Sequence, residues 1–315
     1  MPAHTDRAPI TKTWKLFVGG AYPRSESGRV VPLAGDAGEA VAYVAAATRK
    51  DLRDAVEAAR GAQGKWASAT GYLRGQVLYR LAEMMEGRRT ELVDALRHGV
   101  GAPSARAAAR EVDESIDRVV SVAGWSDKLE CVVGGRNPVA GPFEVVSRVE
   151  PTGVVAVIAP PEPALLGFVS MIMPALASGN AVIAVASERN PVPALVLAEA
   201  APGSDIPGGV LNILTGSARE LAPAIAAHRD IDAVVACMDD AVAAPKAGAG
   251  KAAGKAAAQG TELSVAAMLR SGTAENMKRV HVVDARTRWD NHHWTSSRAF
   301  EGVTEIKTVW HTVGD

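Results

Sequence analysis

Apolar positions run through this chain in two rhythms. Val154-Val155-Ala156-Val157-Ile158 is apolar throughout and does not alternate, the pattern of a strand buried on both faces of a parallel sheet. Residues 164–177 form a longer apolar run that predicts a crossover helix, and Gly179-Asn180 supplies its stop, since both residue types tolerate the left-handed backbone at a helix end. Ala181-Val182-Ile183-Ala184-Val185 then predicts the second strand of a right-handed βαβ unit. Elsewhere the spacing is helical. Thr48 and Asp51 make a capping-box start for a helix carrying Leu52, Val56 and Ala59. A second helix places Leu73, Val77, Leu78, Leu81 and Met85 on one face, a third spans 90–98 before Gly99 and Gly101, and a fourth starts at Pro103-Ser104 with Val112, Ile116, Val119 and Val120.

Period-two stretches mark the rest. Residues 16–22 and 30–33, around a Gly-bearing turn, predict a small hairpin. Cys131-Val132-Val133, a Gly134-Pro138 turn and residues 143–149 predict another. Helices at 191–200 and 217–228 alternate with strands near 210–214 and 231–236, and further strands are expected at 277–283 and 303–309. This alternation gives an α/β fold: a Rossmann-like parallel sheet with flanking helices, plus a β-arm.

Composition narrows the function classes. The chain has 315 residues, formal net charge -1 and 22% charged residues, which gives no global electrostatic case for nucleic acid or a membrane surface. Lys246, Lys251 and Lys255 lie in an Ala- and Gly-rich tract without interleaved aromatics and read as a solvated helix. The first ten residues lack a basic segment followed by an apolar run, and the expected location is cytoplasmic. Two cysteines make neither a disulfide framework nor a zinc site.

Glu150-Pro151-Thr152-Gly153-Val154-Val155, Pro174-Ala175-Leu176-Ala177-Ser178-Gly179-Asn180 and the stretch 206–216 resemble the cofactor domain of the aldehyde dehydrogenase superfamily. The four helices before residue 130 match that family's N-terminal helical segment in order and length. The resemblance implies a division into 1–129 (hairpin and helical part), 130–150 (oligomerisation hairpin), 151–260 (Rossmann-like part), 261–302 (a remnant in place of the catalytic domain) and 303–315 (C-terminal oligomerisation strand). It also implies an oligomerisation surface on Cys131, Val132, Val133, Val145, Val146, Thr304, Ile306, Thr308 and Val309. A hairpin lying on its own domain is the alternative for 130–150.

The departures from the family pattern fall on its chemistry. Where the family carries a Trp and an oxyanion-stabilising Asn after Ala159-Pro160, this chain has Pro161 and Glu162, and a carboxylate repels an oxyanion. The family's cofactor-contacting places fall on Pro160, Val185, Ser187, Glu188, Gly216, Met238 and Asp239, with Val185-Ala186 replacing its ribose-binding Lys. Cys237-Met238-Asp239-Asp240 stands where a Gly-Ser pair normally meets the pyrophosphate, so two carboxylates would face a diphosphate. Thr261-Glu262-Leu263-Ser264 keeps a trace of the general-base motif, and no nucleophilic-cysteine motif follows.

Other candidates read as structural. Cys237 as a nucleophile is disfavoured by the adjacent carboxylates, which oppose a thiolate. Asp290, His292 and His293 with His281 have ligand chemistry but adjacent histidines diverge, so a surface turn is the expectation and no metal is assigned. Glu162 and Glu188 as an acid/base pair lack a spacing that would join them. The functional expectation is a catalytically inactive aldehyde dehydrogenase-like subunit, without cofactor, that assembles with a full-length relative or with itself. NAD(P)-dependent oxidation shared with a partner chain, and a nucleotide sensor, are the alternatives.

Overall fold

The computed structural model describes residues 10–238, 264–274 and 276–313. Its centre is a parallel sheet of β6 (Val154–Ile158), β7 (Ala181–Val185), β8 (Leu211–Leu214), β9 (Ala233–Met238) and β10 (Arg279–Asp284), in the order β10-β9-β6-β7-β8. The pleat sends alternate residues to opposite layers. Val155 and Val157 join a core built with α2 (Gly71–Gly87), α4 (Ala105–Ala123), α6 (Leu166–Ala177) and α7 (Val192–Ala200). Val154, Ala156 and Ile158 join the opposite core, with α1 (Arg49–Ser68), α8 (Ala218–Ala227) and α9 (Val265–Gly272). Every residue of β6 and α6 is buried, which explains why neither shows an amphipathic pattern.

The predicted βαβ unit forms as expected. Gly179 takes φ +99° after α6, and a Cβ there would lie 3.3 Å from the Ala67 backbone, so the chain turns where only glycine fits. Asn180, fully buried, accepts from Gly153 N at 2.7 Å and donates to Ala175 O at 3.1 Å and Val303 O at 2.9 Å. One side chain thereby joins both strand ends to the root of the C-terminal strand. The Thr48–Asp51 capping box forms at the start of α1, with Asp51 also accepting from Ser25 Oγ at 2.8 Å. The second predicted helix buries Leu78, Leu81 and Met85, but Leu73 is exposed; in α4 Val120 is exposed as well. The third helix, α3, is shorter than expected, Arg89–Leu96.

Two predicted hairpins are corrected. Residues 16–22 do not pair with 30–33. Instead β2 (Val30–Ala34) pairs antiparallel with β3 (Ala40–Ala45), and β1 (Thr13–Trp14) pairs parallel with β3. Strand β3 is Ala-rich and weak by propensity, and it exists because Ala42 and Val44 bury against the first core. Phe17 instead bridges Ile213, with N–H···O bonds of 3.0 and 2.7 Å, and so closes the β8 edge.

Cys131, Val132 and Val133 are not a strand. They end a short helix, α5 (Leu129–Val133), held by Val132 N to Lys128 O at 3.1 Å and Gly134 N to Glu130 O at 3.0 Å. A short apolar run carries no period that separates helix from strand, and the turn chemistry after α4 decided it. The arm is therefore β4 (Gly135–Asn137), β5 (Phe143–Pro151) and β11 (Thr304–Thr312), in the order β11-β5-β4. Strands β5 and β11 pair antiparallel along their full length, from Thr304↔Pro151 to Thr312↔Phe143.

Candidate functional site

The carboxyl ends of β6, β7 and β8 lie on the side of the sheet where open α/β folds bind ligands. The loops after β6 and β7 line a crevice there. Pro160 is buried against α6, so tightly that a Cβ on Gly167 would sit 2.3 Å from its ring. Ser187, 2% exposed, staples two loops: its Oγ donates to Pro161 O at 2.8 Å and accepts from Arg189 N and Asn190 N at 3.2 Å each. Val185 points into the second core. Gly216 takes φ +126° where a Cβ would lie 3.1 Å from Ala47 N, so the backbone there requires glycine.

Three carboxylates take hydrogen-bond donors at this end of the sheet. Glu162 is exposed and ion-paired to Arg189 Nη1 at 2.8 Å. Glu188 accepts from Ala218 N, the first residue of α8, and so fills the N-terminal position a ligand anion would take. The two predicted acid/base candidates therefore have separate partners. A third carboxylate, which the sequence reading missed, plays the same part on the next helix. Glu111 of α4 accepts from Leu165 N at 2.8 Å and Leu166 N at 3.2 Å, capping α6. Burial raises its pKa, and the charges of Glu162 and Glu114 push the same way against those two hydrogen bonds. The only signal for it in the sequence was a charge beside the buried Val112.

Glu111, Glu162, Arg189 and Trp289 line a cleft of about 390 Å³. Its far wall is the segment after β10. Trp289 and Trp294 stack with ring centroids 4.7 Å apart, and both are buried with Phe300. Buried Arg118 of α4 donates to Trp289 O at 2.6 Å and to Ser170 Oγ, and Trp125 Nε1 donates to Thr295 O at 2.8 Å. Tryptophan spacing alone did not reveal this packing, because the partners lie more than 100 residues away.

Cys237 is buried at the end of β9, with Sγ 3.9 Å from Asp284 O, and Met238 packs against the second core. Asp239 and Asp240, the Lys-bearing tract and Thr261–Leu263 lie outside the described residues. Asp290 is bound by Arg288 at 2.7 and 3.1 Å, and Asn291 starts a short 3₁₀ turn that carries His292 and His293.

The second candidate surface is the arm. Of its expected residues, Val145, Val146, Thr304, Ile306, Thr308 and Val309 share one three-stranded sheet, while Cys131, Val132 and Val133 sit on the helix leading into it. Val145 alone among the strand residues is buried. Ile306 is 51% and Trp310 60% exposed, and Phe143 meets the Trp310 ring edge-on at 5.8 Å. Trp310 and Phe143 were not among the expected residues. Among the described residues no helix is long and apolar enough to cross a membrane.

Known proteins match this architecture. Residues 24–252 match the aldehyde dehydrogenase family. The cytosolic aldehyde dehydrogenase 1 of Elephantulus edwardii is 33% identical over 238 residues, covering 74% of this chain and 47% of that protein. Retinal dehydrogenase 2 of Mus musculus is 34% identical, covering 74% and 45%. Among solved structures, a point mutant of an aldehyde dehydrogenase from Bacillus cereus aligns with TM-score 0.72 and 26% identity, over 85% of this chain and 50% of that one. The PnpE protein of Pseudomonas sp. WBC-3 aligns with TM-score 0.73 and 25% identity, over 86% and 50%. The chain spans about half the length of the curated relatives it matches. By its sequence from 24 to 252 and by its sheet, this chain belongs to the aldehyde dehydrogenase family.

Proposed function

We propose that the chain is a non-catalytic subunit that assembles, through its arm, with a full-length aldehyde dehydrogenase. The observation that carries this reading is the arm sheet itself, in which Ile306 and Trp310 lie open on a three-stranded sheet with a single buried strand residue. Few-stranded sheets are marginal in water unless a face is covered. Among the described residues the outer edge of β11 has no partner strand, and such an edge invites another chain.

The crevice supports the non-catalytic half of the reading. A nicotinamide dinucleotide needs donors for its phosphates and a site that stabilises a developing oxyanion. Here Glu188 already takes the amide at the start of α8, Glu111 takes those at the start of α6, and Glu162 stands at the mouth. These residues do not fit the cofactor. The cytosolic relatives' chemistry is accordingly assigned to the partner.

The test is native mass spectrometry of the purified chain, alone and mixed with a full-length aldehyde dehydrogenase of the same organism. A mixed assembly in integer ratio, weakened by Trp310→Ser and Ile306→Lys, is the expected result. A chain that stays monomeric in both samples overturns the assembly reading. NAD(P)H formation by the chain alone with simple aldehydes overturns the non-catalytic one.

A further inference from the structure

Strand β11 pairs with β5 through one side of its backbone. Val313 N donates to Pro142 O at 2.8 Å and Thr152 N donates to Val303 O at 3.3 Å, so the odd-numbered residues direct their backbone groups toward β5. By the alternation of an antiparallel ladder, Thr304, Ile306, Thr308, Trp310 and Thr312 direct theirs outward. Thr304 O, which accepts from Arg279 Nη1 at 3.0 Å, follows this rule. Among the described residues no strand meets the outer edge.

The charges on this edge are already balanced. Lys307 is paired with Glu150 at 3.3 Å, Glu305 with Arg279 at 2.9 Å and Arg136 with Glu144 at 3.5 Å. Arg148 lies one strand back, on β5. Such an edge does not select a charged segment, but it allows two identical edges to meet. Register decides how. Outward groups pair only when even-numbered residues face even-numbered ones. A two-fold axis at Thr308 sets Ile306 opposite Trp310 of a second copy, Thr304 opposite Thr312, Glu305 opposite His311 and Lys307 opposite Val309. This register uses all nine residues of β11, joins the exposed apolar side chains in cross-strand pairs and opposes no like charges. An axis at Lys307 would set that lysine against itself. One at Val309 would leave Ile306 opposite Thr312 and Lys307 opposite His311.

We propose that a second copy of this chain docks on the outer edge of β11, antiparallel and centred on Thr308, so that two arms form one continuous six-stranded sheet. Backbone bonds at the even-numbered residues supply affinity, and the Ile306–Trp310 pairs supply register. Ile306 and Trp310 share a face with their partners on β5, Val149 and Val145, so the joined sheets extend one apolar face. The inference rests on the arm being an assembly surface. It makes the homodimer the state that a full-length relative has to displace.

The experiment is sedimentation velocity of the full chain alone over a range of concentrations. A reversible dimer is expected. Thr308→Pro removes the outward N–H at the axis and leaves the β5 ladder intact, the edge situation in which a strand tolerates proline. It should weaken the dimer about a hundredfold, about tenfold for each of the two reciprocal Thr308 bonds, with an unchanged circular dichroism spectrum. Register is read by cross-linking with oxidised glutathione in a Cys131→Ser background, since Cys131 is exposed. Thr308→Cys should give a covalent dimer, because residues paired at the axis lie about 5.5 Å apart, within disulfide reach. Thr304→Cys alone should give none. A monomer at every concentration, a dimer that Thr308→Pro leaves unchanged, or equal cross-linking through Thr304→Cys overturns the proposal. Because no full-length relative is present in these samples, a mixed assembly that forms without a homodimer removes this inference alone, and a homodimer without a mixed assembly removes only the reading above.

Discussion

The central sheet and the arm are both β-structure, and their energetics are opposite. Strands β6 and β7 are buried at every position, between two helical layers that leave them nothing to seek outside the chain. Strand β11 is at least partly exposed at every position and has one neighbour among the described residues, β5. The first region stores the stability of the fold. The second exposes Ile306 and Trp310 and buries a single strand residue, Val145, the contrast on which the proposed assembly rests. At the carboxyl end of this sheet Glu111 accepts from the first amides of α6 and Glu188 from that of α8.

Substitutions can break this contrast or sharpen it. The largest effect is expected at Phe168, fully buried in α6. Phe168→Ala should cost about 3–5 kcal/mol of unfolding free energy in urea titration, and a loss below about 1 kcal/mol would mean the core is not the stabilising region. Next comes Asn180→Ala. It strands Gly153 N and frees Val303 O, and should cost about 2–3 kcal/mol. Because Asn180 ties the arm's root to the sheet, hydrogen exchange in 303–312 should rise with it.

The double change Ile306→Lys with Trp310→Ser should leave monomer stability within about 0.5 kcal/mol, as expected for exposed positions. If it abolishes the mixed assembly at the same time, the two regions separate cleanly; a large stability loss would show that the arm belongs to the core. The smallest effect is electrostatic. Burial raises the Glu111 pKa above its ordinary 4.5, so between 4.5 and the raised value the folded state holds more proton than the unfolded. Stability contributed there is full below the ordinary value and falls as pH rises through the folded one. Glu111→Gln retains an acceptor for Leu165 N and Leu166 N but does not ionise. The variant should match the parent near pH 4 and gain on it by pH 7 in thermal melts, whereas a constant offset would place the carboxylate in water.

Legibility followed the range of the interactions. The βαβ unit was readable because Val154 to Ile158, the stop at Gly179-Asn180 and the Thr48–Asp51 box are local signals. Cys131 to Val133 was misread because a short apolar run has no period, and β3 was missed because alanines become a strand only when a layer covers them. At the strand ends, the departures at Glu162 and Val185 were expectations drawn from the resemblance, while the capping roles of Glu111 and Glu188 had no sequence signal beyond a charge beside Val112. Those roles join residues 54 and 30 positions apart in sequence.

The sequence by itself determined the α/β class, the order of the central elements and the kinship with aldehyde dehydrogenases, since each is written in residue identity and short-range spacing. Only the tertiary structure decided that β2 pairs with β3, that Arg118 holds the Trp289 segment, that Glu111 and Glu188 fill the amides at the starts of α6 and α8, and that Phe17 closes the β8 edge. These depend on which distant groups meet, and the hydrogen-bonding demands of a backbone are met by whatever the packed chain brings within about 3 Å.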